Sequence, residues 1–178
     1  MGPCRPRGRS RLRWIGAVIF ATVGTQLPFP RLVDALATLA PALDEKIIAQ
    51  TGAGTGAPDP ETWSALTLRR TMTPADFEAT FAAARVVVAH AGIGTILSAK
   101  RLSRPLVILP RRHALGEHRN DHQLATARQV ADVPGVHVAW EVADLAPLLT
   151  RRDLDPASDA ASPSRAALID RLARFIAS

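Results

Sequence analysis

A single cysteine, few aromatic residues and no long apolar run set the first limits on this chain. Cys4 stands alone, so no intrachain disulfide can form and no thiolate metal cluster can be assembled. A cytosolic setting fits that usage. The longest apolar stretch, Trp14 to Val23, is about half the length that crosses a bilayer, which makes the chain soluble or peripheral on this reading. Aromatics make up only 4% of the residues and are not interleaved with a basic patch, so the net charge of +6 is not read as a nucleic-acid footprint. Its one dense cluster is the N-terminal run of arginines at 5, 7, 9, 11 and 13. Anionic lipid is the better match, each nearby Lys or Arg contributing about 1 kcal/mol.

That basic run followed by Trp14 to Phe20 imitates a secretory signal. Against this, no convincing small-x-small cleavage site follows, and the apolar run leads straight into Gly24-Thr25-Gln26, a strand-end loop. Residues 1–14 are therefore read as a basic tail. With 178 residues and 47% apolar content, the remainder suffices for one core.

Apolar runs of strand length alternate with segments of helical period, the pattern of βαβ units around a parallel sheet covered on both faces. Strands are expected at Gly16 to Val23, Glu45 to Gln50, Ala65 to Leu68, Arg85 to Ala89, Pro105 to Leu109 and Val136 to Trp140. Helices are expected at about 31–41, 74–83, 93–102, 118–132 and 143–149. Thr73-Pro74-Ala75-Asp76 should start its helix well, with Thr as cap, Pro in the first turn and Asp at the positive end of the dipole. The fold class is thus α/β, a Rossmann-like domain over 15–150. Residues 151–163, rich in Asp, Ala, Ser and Pro, read as a linker, and 164–178 as a closing helix.

His90-Ala91-Gly92-Ile93-Gly94-Thr95 follows a continuously apolar strand and opens a helix. Its glycines let a ligand approach the backbone, and the N–H groups of the first turn point where an anion would sit. A phosphate site is the physical expectation. From spacing alone, a glycine-assisted turn with a core histidine is an equal reading. Gly52-Ala53-Gly54-Thr55-Gly56 imitates a dinucleotide fingerprint, yet Ala57-Pro58-Asp59-Pro60 follows where a helix would have to begin. It reads as a flexible loop, and the NAD hypothesis weakens with it. Pro110 to Gln123 places many polar groups at the carboxyl end of one strand, where α/β proteins keep their ligands. His118 and His122, four apart, would share a helix face and suit a metal, but no third ligand follows from the spacing, so no metal is expected.

Four ordered segments, Val23-Gly24-Thr25-Gln26, Gln50-Thr51-Gly52, His90 to Thr95 and Pro110 to Gln123, together resemble the C-terminal domain of glycosyltransferase family 28. The likeness covers roughly residues 16 to 150 and is nearest to small stand-alone members: bacterial subunits of exopolysaccharide assembly and the catalytic subunit of the two-part dolichol-diphosphate N-acetylglucosamine transferase. The resemblance implies the C-terminal half of a GT-B fold holding a UDP-sugar. It puts Gly92, Gly94 and Thr95 at the diphosphate with His90 beside them, and His122 and Gln123 near the donor sugar, with Asn120 a further substrate-binding residue. Thr25 becomes a phosphate or acceptor-side contact, and Arg70 to Thr73, with Met72 and Thr73, a loose match to the base-binding loop. Ser98 stands where many relatives carry a ribose-binding Glu.

Transfer from a nucleotide diphosphate builds negative charge on the leaving group, and donors aimed at that charge lower the barrier. The helix beginning near Gly92 suits this task, assisted by His118 or Arg112, without a metal or other cofactor. One Rossmann-like domain supplies half of a GT-B cleft. By resemblance, a membrane-anchored subunit carries the lipid-linked or polysaccharide acceptor, and the pair works at the cytoplasmic face, the chain itself being peripheral. A non-catalytic donor-binding or regulatory subunit is the alternative reading.

Overall fold

The computed structural model describes residues 18–52 and 66–158. Six strands form one wholly parallel sheet: β1 (Val18–Thr22), β2 (Lys46–Gln50), β3 (Leu66–Arg69), β4 (Val86–Ala89), β5 (Leu106–Ile108) and β6 (Val136–Val138), in the spatial order β3-β2-β1-β4-β5-β6. The order reverses between β1 and β4. In an open parallel sheet that reversal leaves a crevice at the carboxyl ends of the two strands, where ligands bind.

The strands are short and almost fully apolar because both faces are covered. Along β4, Val86 and Val88 join the core on one face while Val87 and Ala89 join the core on the other, all four being inaccessible. On the first face β1 contributes Ile19 and Ala21, and the covering helices α1 (Pro30–Leu39) and α5 (Leu145–Thr150) contribute Leu32, Leu36, Leu145 and Leu149. The second face carries Phe20, Leu106 and Ile108 under α2 (Pro74–Ala83), α3 (Ile93–Arg101) and α4 (His122–Val130). Phe20, Phe77 and Phe81 pack there as a triad with centroids 5.3–6.0 Å apart.

The α/β reading and all six strand positions hold to within a few residues. Thr73 caps α2 as the sequence suggests, its Oγ accepting from the Asp76 N–H at 3.1 Å with Pro74 in the first turn. One boundary shifts with consequence: α4 begins at His122 rather than 118, because the preceding residues are held by hydrogen bonds of their own. His118 and His122 therefore do not share a helix face.

The start of the expected linker is fastened to the domain. Arg85 donates to the carbonyls of Arg151 and Leu149, both at 2.7 Å, and Ala157, fully buried, donates its N–H to the Arg104 carbonyl. Gly135, at φ +75°, lets the segment pass. A Cβ there would meet the Pro156 and Ala157 backbone at 2.2 Å. The basic tail to residue 14, the Ala53 to Gly56 part of the glycine-rich loop and the closing helix at 164–178 lie outside the described residues.

Candidate functional site

At the carboxyl end of β4 the chain leaves through His90-Ala91-Gly92 and enters α3. Gly92 N–H turns back to the His90 carbonyl, and Gly92 carbonyl accepts from Thr95 and Ile96. The N–H groups of Ile93 and Gly94 have no acceptor among the described residues. They open at the positive end of the helix dipole, the arrangement that holds a phosphate. Nothing lies within 4 Å of the Gly94 Cβ position, so a ligand has room over that backbone.

The imidazole of His90 packs into the first turn of this cradle. A Cβ on Gly92 would stand 2.3 Å from His90 Nε2, and one on Gly24 would stand 3.0 Å from Cε1. Burial pushes the His90 pKa down to about 4, the positive charge of Arg111 and then nearby His118 act the same way, and the Thr22 carbonyl offsets only part of this. The ring is neutral at physiological pH. Its Nδ1 is buried without a hydrogen-bond partner among the described residues.

The loop after β1 forms the facing wall. Gly24, at φ +81°, is fixed by its neighbours: its N–H approaches Thr22 Oγ at 3.4 Å, its carbonyl accepts from Gln50 Nε2 at 3.4 Å, and Gly52 crowds that carbonyl so closely that a Cβ would lie 2.9 Å from it. Thr22 Oγ in turn donates to Gln50 Oε1 at 2.6 Å. Thr25 and Leu27 project outward, exposed.

The third wall is the loop from Pro110 to Asp121, which makes its own hydrogen bonds. His113 N–H donates to Asp121 Oδ1 at 2.9 Å, His113 Nδ1 lies 3.1 Å from the His118 carbonyl, and His118 Nδ1 lies 3.1 Å from Asn120 Oδ1. Glu117 takes a forked pair from Arg31 at 2.6 and 2.8 Å and the Arg112 N–H at 2.9 Å, tying the loop to α1. Gln123 is buried and its Oε1 accepts from the Arg111 N–H at 3.1 Å, which leaves the amide nitrogen as its donor for a ligand. Arg112 turns toward β6, donating to the Trp140 carbonyl and to Glu141, each at 2.6 Å.

A family model for the glycosyltransferase family 28 C-terminal domain matches residues 18–165. The chain belongs to that family. Among solved structures, MurG of Acinetobacter baumannii is 19% identical with TM-score 0.62, over 92% of this chain and 51% of that one. The kitacinnamycin glycotransferase is 22% identical with TM-score 0.60, over 97% of this chain and 43% of that one. An NMR structure of ALG13 is 19% identical with TM-score 0.56, over 86% of this chain and 94% of that one. The family 28 domain seen here therefore spans about half of the first two proteins, and nearly all of the third. No match is found among curated proteins.

In this family 28 domain the structure gathers His90, Gly92, Gly94, Thr95 and Gln123 at the carboxyl ends of β4 and β5, with His118 near enough to influence His90. Ser98 bends its hydroxyl back to the Gly94 carbonyl at 2.9 Å, on α3. Met72 and Thr73 lie at the carboxyl side of β3, three positions from β4. Met72 packs against the second core, and the Thr73 hydroxyl is engaged with Asp76. His122 and Asn120 are exposed. The one Asp-x-Asp of the chain, Asp153-Leu154-Asp155, lies on the segment along the amino-terminal edge of the sheet, with Asp153 paired to Arg151 at 3.0 Å.

Arg111 is not among the residues expected from the sequence, and it is only 2% exposed, while the side chain of the adjacent Arg112 is engaged at β6. The signal was strand parity: Val107, Leu109 and Arg111 continue one alternation, and the first two belong to the core face that also contains Phe29.

Proposed function

We propose that the chain is the donor-binding subunit of a UDP-sugar-dependent hexosyltransferase of GT-B type. The observation that carries this is the pair of unpartnered N–H groups, Ile93 and Gly94, opening α3 at the reversal point of the sheet. The diphosphate sits on these donors, with Gly92 and Thr95 beside it. Gln123 Nε2, with Asn120 and His122 at the rim, reads the sugar hydroxyls, while Thr25 faces the diphosphate or the acceptor. The base lies toward Met72 and Thr73, and the ribose passes Ser98.

In the reaction the bond from the anomeric carbon to the diphosphate oxygen breaks as the acceptor oxygen forms its bond. The electron pair stays on the leaving UDP. The Ile93 and Gly94 N–H groups meet that growing charge without reorganising, and losing one such donor costs about 3 kcal/mol. His118 assists as a further donor. Arg112 reaches the leaving group only by releasing Glu141. No metal is needed in this scheme.

The acceptor, and the base that takes its proton, come from a second, membrane-anchored subunit. The support for a separate partner is that a fold of this size is found by itself in the ALG13 structure, of which the match covers 94%. The pair would act at the cytoplasmic membrane face on a lipid-linked or polysaccharide acceptor. Calorimetry with UDP, UDP-sugars and NAD tests the donor reading, with weak UDP binding and no NAD binding expected. Transfer should appear only with the partner present. Robust transfer by the purified monomeric chain would sink the two-subunit reading.

A further inference from the structure

Arg111 carries a buried cation into the one place where three site walls meet. It follows β5, yet its side chain donates to carbonyls that follow β1: Val23 at 2.9 Å, Leu27 at 2.8 Å and Pro28. Since β4 lies between β1 and β5, the side chain spans the carboxyl end of β4, where His90 leaves the sheet. The guanidinium carbon also stacks 4.4 Å over the Phe29 ring. None of the ion pairs among the described residues includes Arg111. Burial draws its pKa down to about 10, with Glu117 opposing and Arg31 adding to the fall, so the group is still charged at neutral pH. Three carbonyl dipoles and a ring face thus hold a full positive charge that no carboxylate neutralises directly.

We propose that Arg111 is the positioning residue of this site: its fork locks the loop from Gly24 to Phe29 as one wall of the donor cleft, and its fixed charge lies behind the diphosphate seat. The second half rests on the UDP-sugar reading above. The first does not. Between its fixed ends, Gly24 and the buried Phe29, the loop has little else to set its shape, since Thr25, Gln26, Leu27 and Pro28 are all exposed and the Leu27 and Pro28 carbonyls converge, with that of Val23 just before the loop, on one side chain. Gly24 at the loop's start touches His90, and the Arg111 N–H is held by Gln123, so a displaced guanidinium would be felt on both sides of the seat. Lysine cannot reproduce the function, because its single ammonium lacks the planar fork that reaches divergent acceptors.

The test uses the full chain with Arg111→Met and Arg111→Lys. In the Met variant, the backbone order parameters of the N–H groups across 24–29, read by NMR relaxation, should fall from the rigid value of about 0.85 to below about 0.6 while those of β4 stay high. His90, followed by proton NMR, should titrate at higher pH than in the parent, because a neighbouring positive charge has gone. UDP affinity should fall about tenfold with uridine affinity little changed, since only the diphosphate feels the charge. The Lys variant should leave His90 titrating low and yet show the loosened loop. Unchanged loop order parameters in both variants, or in the Lys variant alone if the Met variant does not fold, would overturn the proposal. Equal losses of UDP and uridine binding would overturn its electrostatic half. If the parent binds neither ligand, the donor reading fails, while the relaxation and titration results still decide the loop.

Discussion

A methyl group on Gly92 would lie 2.3 Å from Nε2 of His90, and the ring stands against the glycine with no space between them. The Gly92 backbone, at φ −89° and ψ 133°, is open to any residue, so the glycine serves the ring rather than a turn angle. Gly92→Ala should destabilise the domain by about 2 kcal/mol through overpacking, measured by urea unfolding. Combining it with His90→Ala should cost less than the sum of the two single changes, since the clash disappears with the ring. Additive costs would show that the two residues do not meet.

His90 also sets a pH dependence. Its pKa falls from 6.5 to about 4 on folding, so the unfolded chain binds a proton in the interval where the native chain does not. Stability is therefore unaffected above about pH 6.5, declines as pH falls toward 4, and levels off below it, the limit being about 3 kcal/mol. His137, also held low mainly by burial, adds a slope of the same sign. In His90→Gln the slope should shrink to the remainder, read from unfolding midpoints between pH 7 and 4.

The two ends of the Gln123 amide can be tested separately. Gln123→Glu keeps an oxygen for the Arg111 N–H but deletes the amide donor, so donor-sugar affinity should drop about tenfold with the fold retained. Gln123→Ala leaves that buried N–H unpaired, and the stability loss should be about 1–3 kcal/mol. Similar stability for both variants, measured by thermal unfolding, would show that the hydrogen bond to Arg111 contributes nothing.

The amino-terminal edge of the sheet provides the control. The Glu45 side chain, only 2% exposed, accepts a forked pair from Arg85 at 2.7 and 2.8 Å and meets Arg152 at 2.6 Å. Glu45→Gln leaves two cations without their counter-charge and should cost about 3 kcal/mol. UDP affinity at saturating folded fraction should not change, because the site lies at the opposite edge. A parallel loss of binding in calorimetry would place the site elsewhere.

The sequence determined the α/β class and the strand positions, because a strand buried on both faces must be apolar throughout, as Val86 to Ala89 is. It also determined the α2 cap and the glycine turn opening α3, since both depend on local geometry written in a few consecutive residues. His118 shows the limit of periodicity: the loop before α4 satisfies its polar groups through side-chain bonds that no helical pattern reports. Arg111 and Arg112 come to differ only in the folded chain. Two identical neighbours became a buried clamp and a rim ion pair because strand parity carried one onto the core face and the sheet order put the β1 carbonyls within its reach. Those carbonyls stand more than eighty residues away in the chain, and only the reversal of strand order at β1 and β4 brings them there.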